Sequence, residues 1–246
     1  MKKTYLILCL GFAGISLLTG CSKGTSTTTP SSSAPTVSTP SDADGALAAV
    51  QVITTQTVAG ITIPINIGTA AAWFGSASSY KDAGNVSCAT NALTKSSNAY
   101  VFQPTQSAPE GISFSNNVAW DVTGNTGNGI AAFNYSDNST FPSISDISVT
   151  GAVSTSGSYT LSATSAVYGD SVIFVVSGSS KHITFIGGPN SSSHTFTAAE
   201  MATVGASANN TGLLQIAPYR VNHQTINGKS YYFVKEACVS KFVTIN

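Results

Sequence analysis

The side chains able to carry acid–base, nucleophilic or metal chemistry are few in this chain of 246 residues. His182, His194 and His223 stand alone, with no H-E-x-x-H, no histidine pair at helical or strand spacing and no Cys-x-x-Cys to build a zinc site. No G-x-S-x-G turn singles out a serine as an activated nucleophile. The carboxylates of the later chain are Asp82, Glu110, Asp121, Asp137, Asp146, Asp170, Glu200 and Glu236. A glycosidase needs only two of them at the right separation, which sequence spacing does not fix. Glu200 has a structural task instead, because Thr197-Ala198-Ala199-Glu200 has the spacing of a helix capping box. The expectation is a protein with no catalytic centre, no metal and no cofactor.

Aromatic side chains offer binding chemistry. A ring face packs against the apolar side of a pyranose, so an exposed tryptophan or tyrosine can hold a glycan. Trp120 falls on the apolar face of an alternating run and belongs to a core. Trp73, beside Phe74 after three alanines, and Tyr232, which alternation sends to the face opposite Tyr231, are the candidate ligand-stacking residues.

Of the four cysteines, Cys88 and Cys238 lie in the later chain, and in an exported protein such a pair is a candidate disulfide. A bridge closing about 150 residues stabilises by up to about 5 kcal/mol in the chain-entropy model. The alternative is two separate buried thiols acting as small apolar side chains.

The amino terminus reads as an export signal: Lys2 and Lys3 precede an apolar run from Tyr5 to Leu18, too short to span a bilayer comfortably. The run ends in Leu18-Thr19-Gly20-Cys21, which resembles the lipobox of bacterial lipoproteins. That resemblance implies cleavage before Cys21, a diacylglyceryl group on its thiol and an acylated amino terminus. Residues 1–20 are then the signal peptide, and more than one acyl chain, at about 0.8 kcal/mol per buried methylene, gives stable anchoring. Ser22 in place of an aspartate resembles lipoproteins passed on to an outer membrane, with the periplasmic or outer face left open.

Residues 21–45 carry the cysteine and a Ser/Thr/Pro-rich run with almost no apolar content, which cannot offset the entropy of ordering and reads as a tether. Its root-mean-square reach is roughly 25–30 Å. Asp42-Ala43-Asp44-Gly45 resembles the start of a calcium loop but lacks the later oxygen ligands. Charged residues make up 8 % of the chain, ten basic against ten acidic. Loss of Lys2 and Lys3 with the leader makes the remainder slightly acidic. No basic field for nucleic acid exists, and no polybasic segment for a membrane surface, so membrane attachment falls to the lipid on Cys21.

The rest of the chain must fold as β structure. Ile112, Phe114, Val118, Trp120 and Val122 alternate as a half-buried strand, as do Tyr159, Leu161 and Ala163. Val172–Val176 and His182–Ile186 form a plausible hairpin. Leu213–Val221 and Tyr231–Val234 flank Asn227-Gly228, the surest turn signal. The capping box opens a short helical turn to about Val204, placed as a crossover between sheets. The fold class is all-β, an antiparallel β-sandwich. About seven strands ending in a hairpin over 146–246 resemble immunoglobulin-like sandwiches. A first sandwich over 46–145 packed on a second over 146–246 is the leading expectation, and one larger sandwich is the alternative. Such modules imply a lipid-anchored envelope protein that binds a glycan or an envelope protein, or supports the envelope. A fibre or adhesin subunit that exchanges a strand, for which Leu47–Ile67 is apolar enough, is a second reading; a glycan hydrolase is a third.

Overall fold

The computed structural model describes residues 40–246 apart from 41, 59–60, 77–78 and 98. The lipobox, Cys21 and nearly all of the tether therefore lie outside the described residues.

The first half contributes strands β1 (Gly45–Val58), β2 (Ile61–Ser76), β3 (Ser79–Tyr80), β4 (Val86–Cys88), β5 (Asn91–Ala92), β6 (Thr94–Ser96), β7 (Ala99–Phe102), β8 (Val118–Val122) and β9 (Phe133–Asp137). The second adds β10 (Ile147–Ser148), β11 (Tyr159–Ala163), β12 (Ser171–Ser177), β13 (His182–Gly187), β14 (Ser193–Phe196), β15 (Ser207–Ile226) and β16 (Lys229–Ile245), with the short helix α1 (Ala198–Met201) between β14 and β15. The all-β expectation holds. The strands form one large central sheet in the order β13-β12-β15-β16-β1-β2-β7-β6, with β3 attached to β2. Two small sheets, β5-β4-β8-β9 and β10-β11-β14, complete the layers. Every ladder between these strands is antiparallel except that of β1 on β16, which runs parallel from Gly45 opposite Tyr231 to Ile53 opposite Val239.

Two cores lie on one face of the central sheet, and β16 feeds both. Its alternation puts Tyr231 and Phe233 with Leu47, Phe74, Tyr100, Trp120 and Phe133 under the first small sheet. Ala237, Val239, Val243 and Ile245 fall on the same face further along, with Ile147, Leu161, Phe174 and Leu214 under the second. The switch from one core to the next occurs at Lys235. The two cores thus share one main sheet and do not divide at residue 145: the first takes Tyr231 and Phe233 from the second half, and the second takes Ile144 from the first. The opposite face buries two smaller clusters, one around Ile173, Val175, Ala217, Tyr219 and Cys238, the other around Ala46, Ala48, Val50, Trp73 and Val234.

Local chemistry sets the turns. Asn227 at φ 51° and Gly228 at φ 75° supply the two left-handed residues of the β15–β16 hairpin. The capping box is formed: the Glu200 backbone N–H donates to Thr197 Oγ1 at 3.3 Å and the Thr197 backbone N–H donates to Glu200 Oε2 at 2.8 Å. It starts α1, which carries the chain from the small sheet of β14 to the central sheet.

The run from Ile112 to Val122 is strand only from Val118 onward. Upstream, the Asn116 carbonyl accepts from Lys235 Nζ and its side chain accepts from the Phe141 N–H, so these groups serve a side chain and a loop instead of a ladder. Further back, the chain presses against β2 where two glycines meet. The Gly68 N–H donates to the Glu110 carbonyl and the Ile112 N–H to the Gly68 carbonyl. A Cβ on Gly68 would lie 1.8 Å from the Ile112 carbonyl oxygen, and one on Gly111, at φ 66°, would lie 2.1 Å from the Gly68 oxygen. Only glycine fits at this crossing.

Candidate binding surfaces

The tether meets the folded region at Asp42 and Asp44, and both carboxylates are already spoken for. Asp44 accepts from Lys229 Nζ and from the Ser230 N–H, each at 2.9 Å, while its backbone N–H donates to the Ser230 carbonyl. Partial burial raises the Asp44 pKa, but the Ser230 and Lys229 contacts outweigh it and the net shift is downward. Asp42 accepts from the Tyr232 hydroxyl at 2.9 and 3.1 Å. These acids fasten the end of the Ser/Thr/Pro-rich run to the start of β16. Among the described residues no group of three or more His, Cys, Asp or Glu side chains is placed to hold a metal ion.

The two candidate stacking residues sit in one row across the sheet, Trp73 on β2 opposite Ala46 on β1, and Ala46 opposite Tyr232 on β16. They do not form an open platform. Trp73 is 7 % exposed and packs with Ala46, Ala48, Val50 and Val234, so it is core, contrary to the stacking expectation. Tyr232 is half-buried, with its ring stacked on His223 at 4.7 Å between centroids and its hydroxyl committed to Asp42.

The candidate Cys88–Cys238 bridge is not formed; both thiols are free and buried, the alternative of two separate thiols. Cys88 belongs to the first core with Trp120 and Val86, whereas Cys238 lies on the other face of the central sheet with Ala217 and Ile173. Alternation along β16 fixes this: an even-numbered residue there points away from the small sheets. Burial pushes the Cys238 thiol up to about 12, with Glu236 adding to the rise, and burial pushes Cys88 up strongly as well. Gln215 donates to the Cys238 sulfur at 2.8 Å, the contact of a structural thiol.

The carboxylates act as struts. Asp82 pairs with Lys95 at 2.7 Å, Asp146 with Lys241 at 2.8 Å, Asp170 with Arg220 at 2.8 Å and Asp137 with Lys235 at 3.1 Å. The carboxyls of Asp82 and Glu200 are held below the usual range, Asp82 by the bonds from Lys95, Tyr100 and the Gly84 N–H, and Glu200 by the cap. A general acid at neutral pH needs the opposite shift. His194 is stacked flat on Phe185, 3.6 Å between centroids, and burial lowers its pKa.

What stays open is backbone. The β1–β2 pairing continues from Thr54 opposite Ile65 to Val58 opposite Ile61, beyond Ile53, the last residue of β1 to meet β16. Within Leu47–Ile67, β1 is therefore held on both sides at one end and, among the described residues, only by β2 at the other. The central sheet ends at β6 on one side and β13 on the other. Sequence reading passed over both the Lys235 strut and the β13 edge. The signal for the edge is the charge-free run His182-Ile183-Thr184-Phe185-Ile186-Gly187; nothing short of the tertiary structure marks Lys235 as buried. Neither a family model nor a curated protein matches the chain.

Proposed function

We propose that this protein is a bacterial envelope lipoprotein, anchored by lipid on Cys21 and carrying a β-sandwich module that binds an envelope component without catalysing a reaction. The observation that carries this reading is the fastening at the end of the Ser/Thr/Pro-rich run: Asp42 and Asp44 tie it to Tyr232, Lys229 and Ser230 at the start of β16. Such a fastening suits a module joined to a lipid-bearing Cys21 through that run. The carboxylates committed to ion pairs and to the helix cap support a binding role over a hydrolytic one. Fibre assembly by strand exchange is less favoured, because β1 is bonded on both sides from Gly45 to Ile53 and exchange would break both ladders at once.

Replacing Cys21→Ser in the full chain tests the anchor. The wild-type protein should incorporate a clickable palmitate analogue and sediment with membranes, and the variant should do neither. A variant that still labels and sediments would sink the lipoprotein reading. The binding role is tested by probing the detergent-solubilised full chain against envelope and dietary polysaccharides and against envelope protein extract, where saturable capture of one class is expected and none would count against the module.

A further inference from the structure

The two edges of the central sheet are unlike. Strand β6 is three exposed residues, with Lys95 held in an ion pair to Asp82. A short edge carrying a lysine is how β proteins blunt strand addition. Strand β13 has no such guard. It spans His182–Gly187 with no Asp, Glu, Lys, Arg or Pro, Lys181 standing just before it, and among the described residues its only ladder is to β12. No turn or loop hydrogen bond among the described residues uses the backbone of 182–187. Two of its large apolar side chains are open at the rim: Phe185 is 39 % and Ile186 44 % exposed. Tyr168, 54 % exposed, adds to this side, since the adjoining Gly169 exchanges hydrogen bonds with Asn190 in the loop after β13.

We infer that β13 pairs with β13 of a second copy of this chain, in antiparallel register centred on Thr184 or Phe185, joining the two central sheets edge to edge. A strand without charge meets its own copy without repulsion, and the guarded β6 edge cannot serve as the complementary partner for head-to-tail growth. The contact therefore closes as a twofold dimer instead of extending as a fibre. With the axis perpendicular to the sheet, both pairs of cores stay on the same side of the joined sheet. A six-residue ladder is small for a stable interface in dilute solution. Co-anchoring raises the effective concentration of the second copy, so pairing is favoured where two chains share a membrane; in this respect it rests on the lipoprotein reading.

The geometry also gives the tether a task. Thr184 lies level with Ser240 through Val175 and Gln215, nine residues along β16 from Tyr231. That is about 30 Å of strand, so the twofold offsets the two tether attachments by about 60 Å along the strand direction, at opposite ends of the pair. Each tether reaches roughly 25–30 Å, enough to hold such a pair with its strands along one membrane.

Cysteine cross-linking in cells tests this, because Cys88 and Cys238 are buried and do not compete. In the full chain, Thr184→Cys or Phe185→Cys should give a disulfide-linked dimer under mild oxidation, Cα atoms in an antiparallel pair being 4.5–5.5 Å apart. The yield should exceed that of Ser96→Cys on β6 at least tenfold. No dimer from either β13 variant, or equal yield from Ser96→Cys, would overturn the proposal. Reading membrane and soluble fractions separately distinguishes the two ideas: chain in the soluble fraction reports failure of the anchor, whereas membrane-bound chain without cross-link reports failure of the pairing.

Discussion

Lys235 Nζ lies 3.1 Å from Asp137 Oδ1, and both side chains are almost wholly buried, 2 % and 4 % exposed, at the seam where β16 passes from one core to the next. The ammonium also donates to the carbonyls of Asn116, Asp137 and Ser139. One cation thus holds the loops before β8 and after β9 against the central sheet. Removing one partner of such a pair leaves a buried charge and orphaned acceptors, at a cost of about 3–5 kcal/mol. Lys235→Met should lower the unfolding free energy from urea titration by that amount, and adding Asp137→Asn should recover part of it, because the carboxylate charge is gone while the oxygen that accepts the Ser139 N–H remains. A single variant within 1 kcal/mol of wild type would show that the strut contributes little.

The crossing of Gly68 and Gly111 gives a second test. A methyl at residue 68 has no room beside the Ile112 carbonyl, so Gly68→Ala must push the chain after β7 away from β2. Overpacking of this kind costs about 1–3 kcal/mol. The same replacement at Gly157, where nothing lies within 4 Å of the added carbon, should leave the thermal midpoint close to wild type.

The buried thiols make a pH prediction whose sign is fixed by the upward shift. Cys238 rises from an ordinary value of 9.0 to about 12, so the folded state disfavours the thiolate relative to the unfolded chain. Its contribution to stability is complete below about pH 9 and declines from there towards pH 12. Cys238→Ala should flatten the alkaline side of the stability curve. Neither thiol should react with a maleimide at pH 7 in the folded protein, and both should react in denaturant without prior reduction. A requirement for reductant would mean that a bridge forms after all.

The sequence made legible what depends on neighbours along the chain. Asn227-Gly228 announced its hairpin, and Thr197 and Glu200 their cap, because those interactions close within a few residues. Alternation gave the strands but not which face met which layer. Cys88 and Cys238 read equally as a bridge or as two buried thiols, because their separation depends on β1 entering between β16 and β2 and on two small sheets sharing one face, neither of which leaves a local mark. Lys235 was invisible for the same reason: its partners come from residues 116, 137 and 139, roughly a hundred positions away.

Trp73 and Tyr232 separate folding from binding. They face the same side, but Trp73 is packed among Ala46, Ala48, Val50 and Val234, whereas Tyr232 has a polar tip on Asp42. Trp73→Ala leaves a cavity and should cost about 3–5 kcal/mol, a large share of the stability of an ordinary protein. Any loss of ligand in that variant would therefore report lost structure. Tyr232→Phe keeps the ring on His223 and removes only the hydroxyl held by the Asp42 carboxylate, and bonds to a charged group contribute about 1.5–3 kcal/mol at most, less at this exposed position. Circular dichroism should show Tyr232→Phe folded, with faster proteolysis near residue 42 as the tether comes loose. If Trp73→Ala instead folds normally and loses glycan binding alone, Trp73 is a ligand contact and its place in the core is wrong.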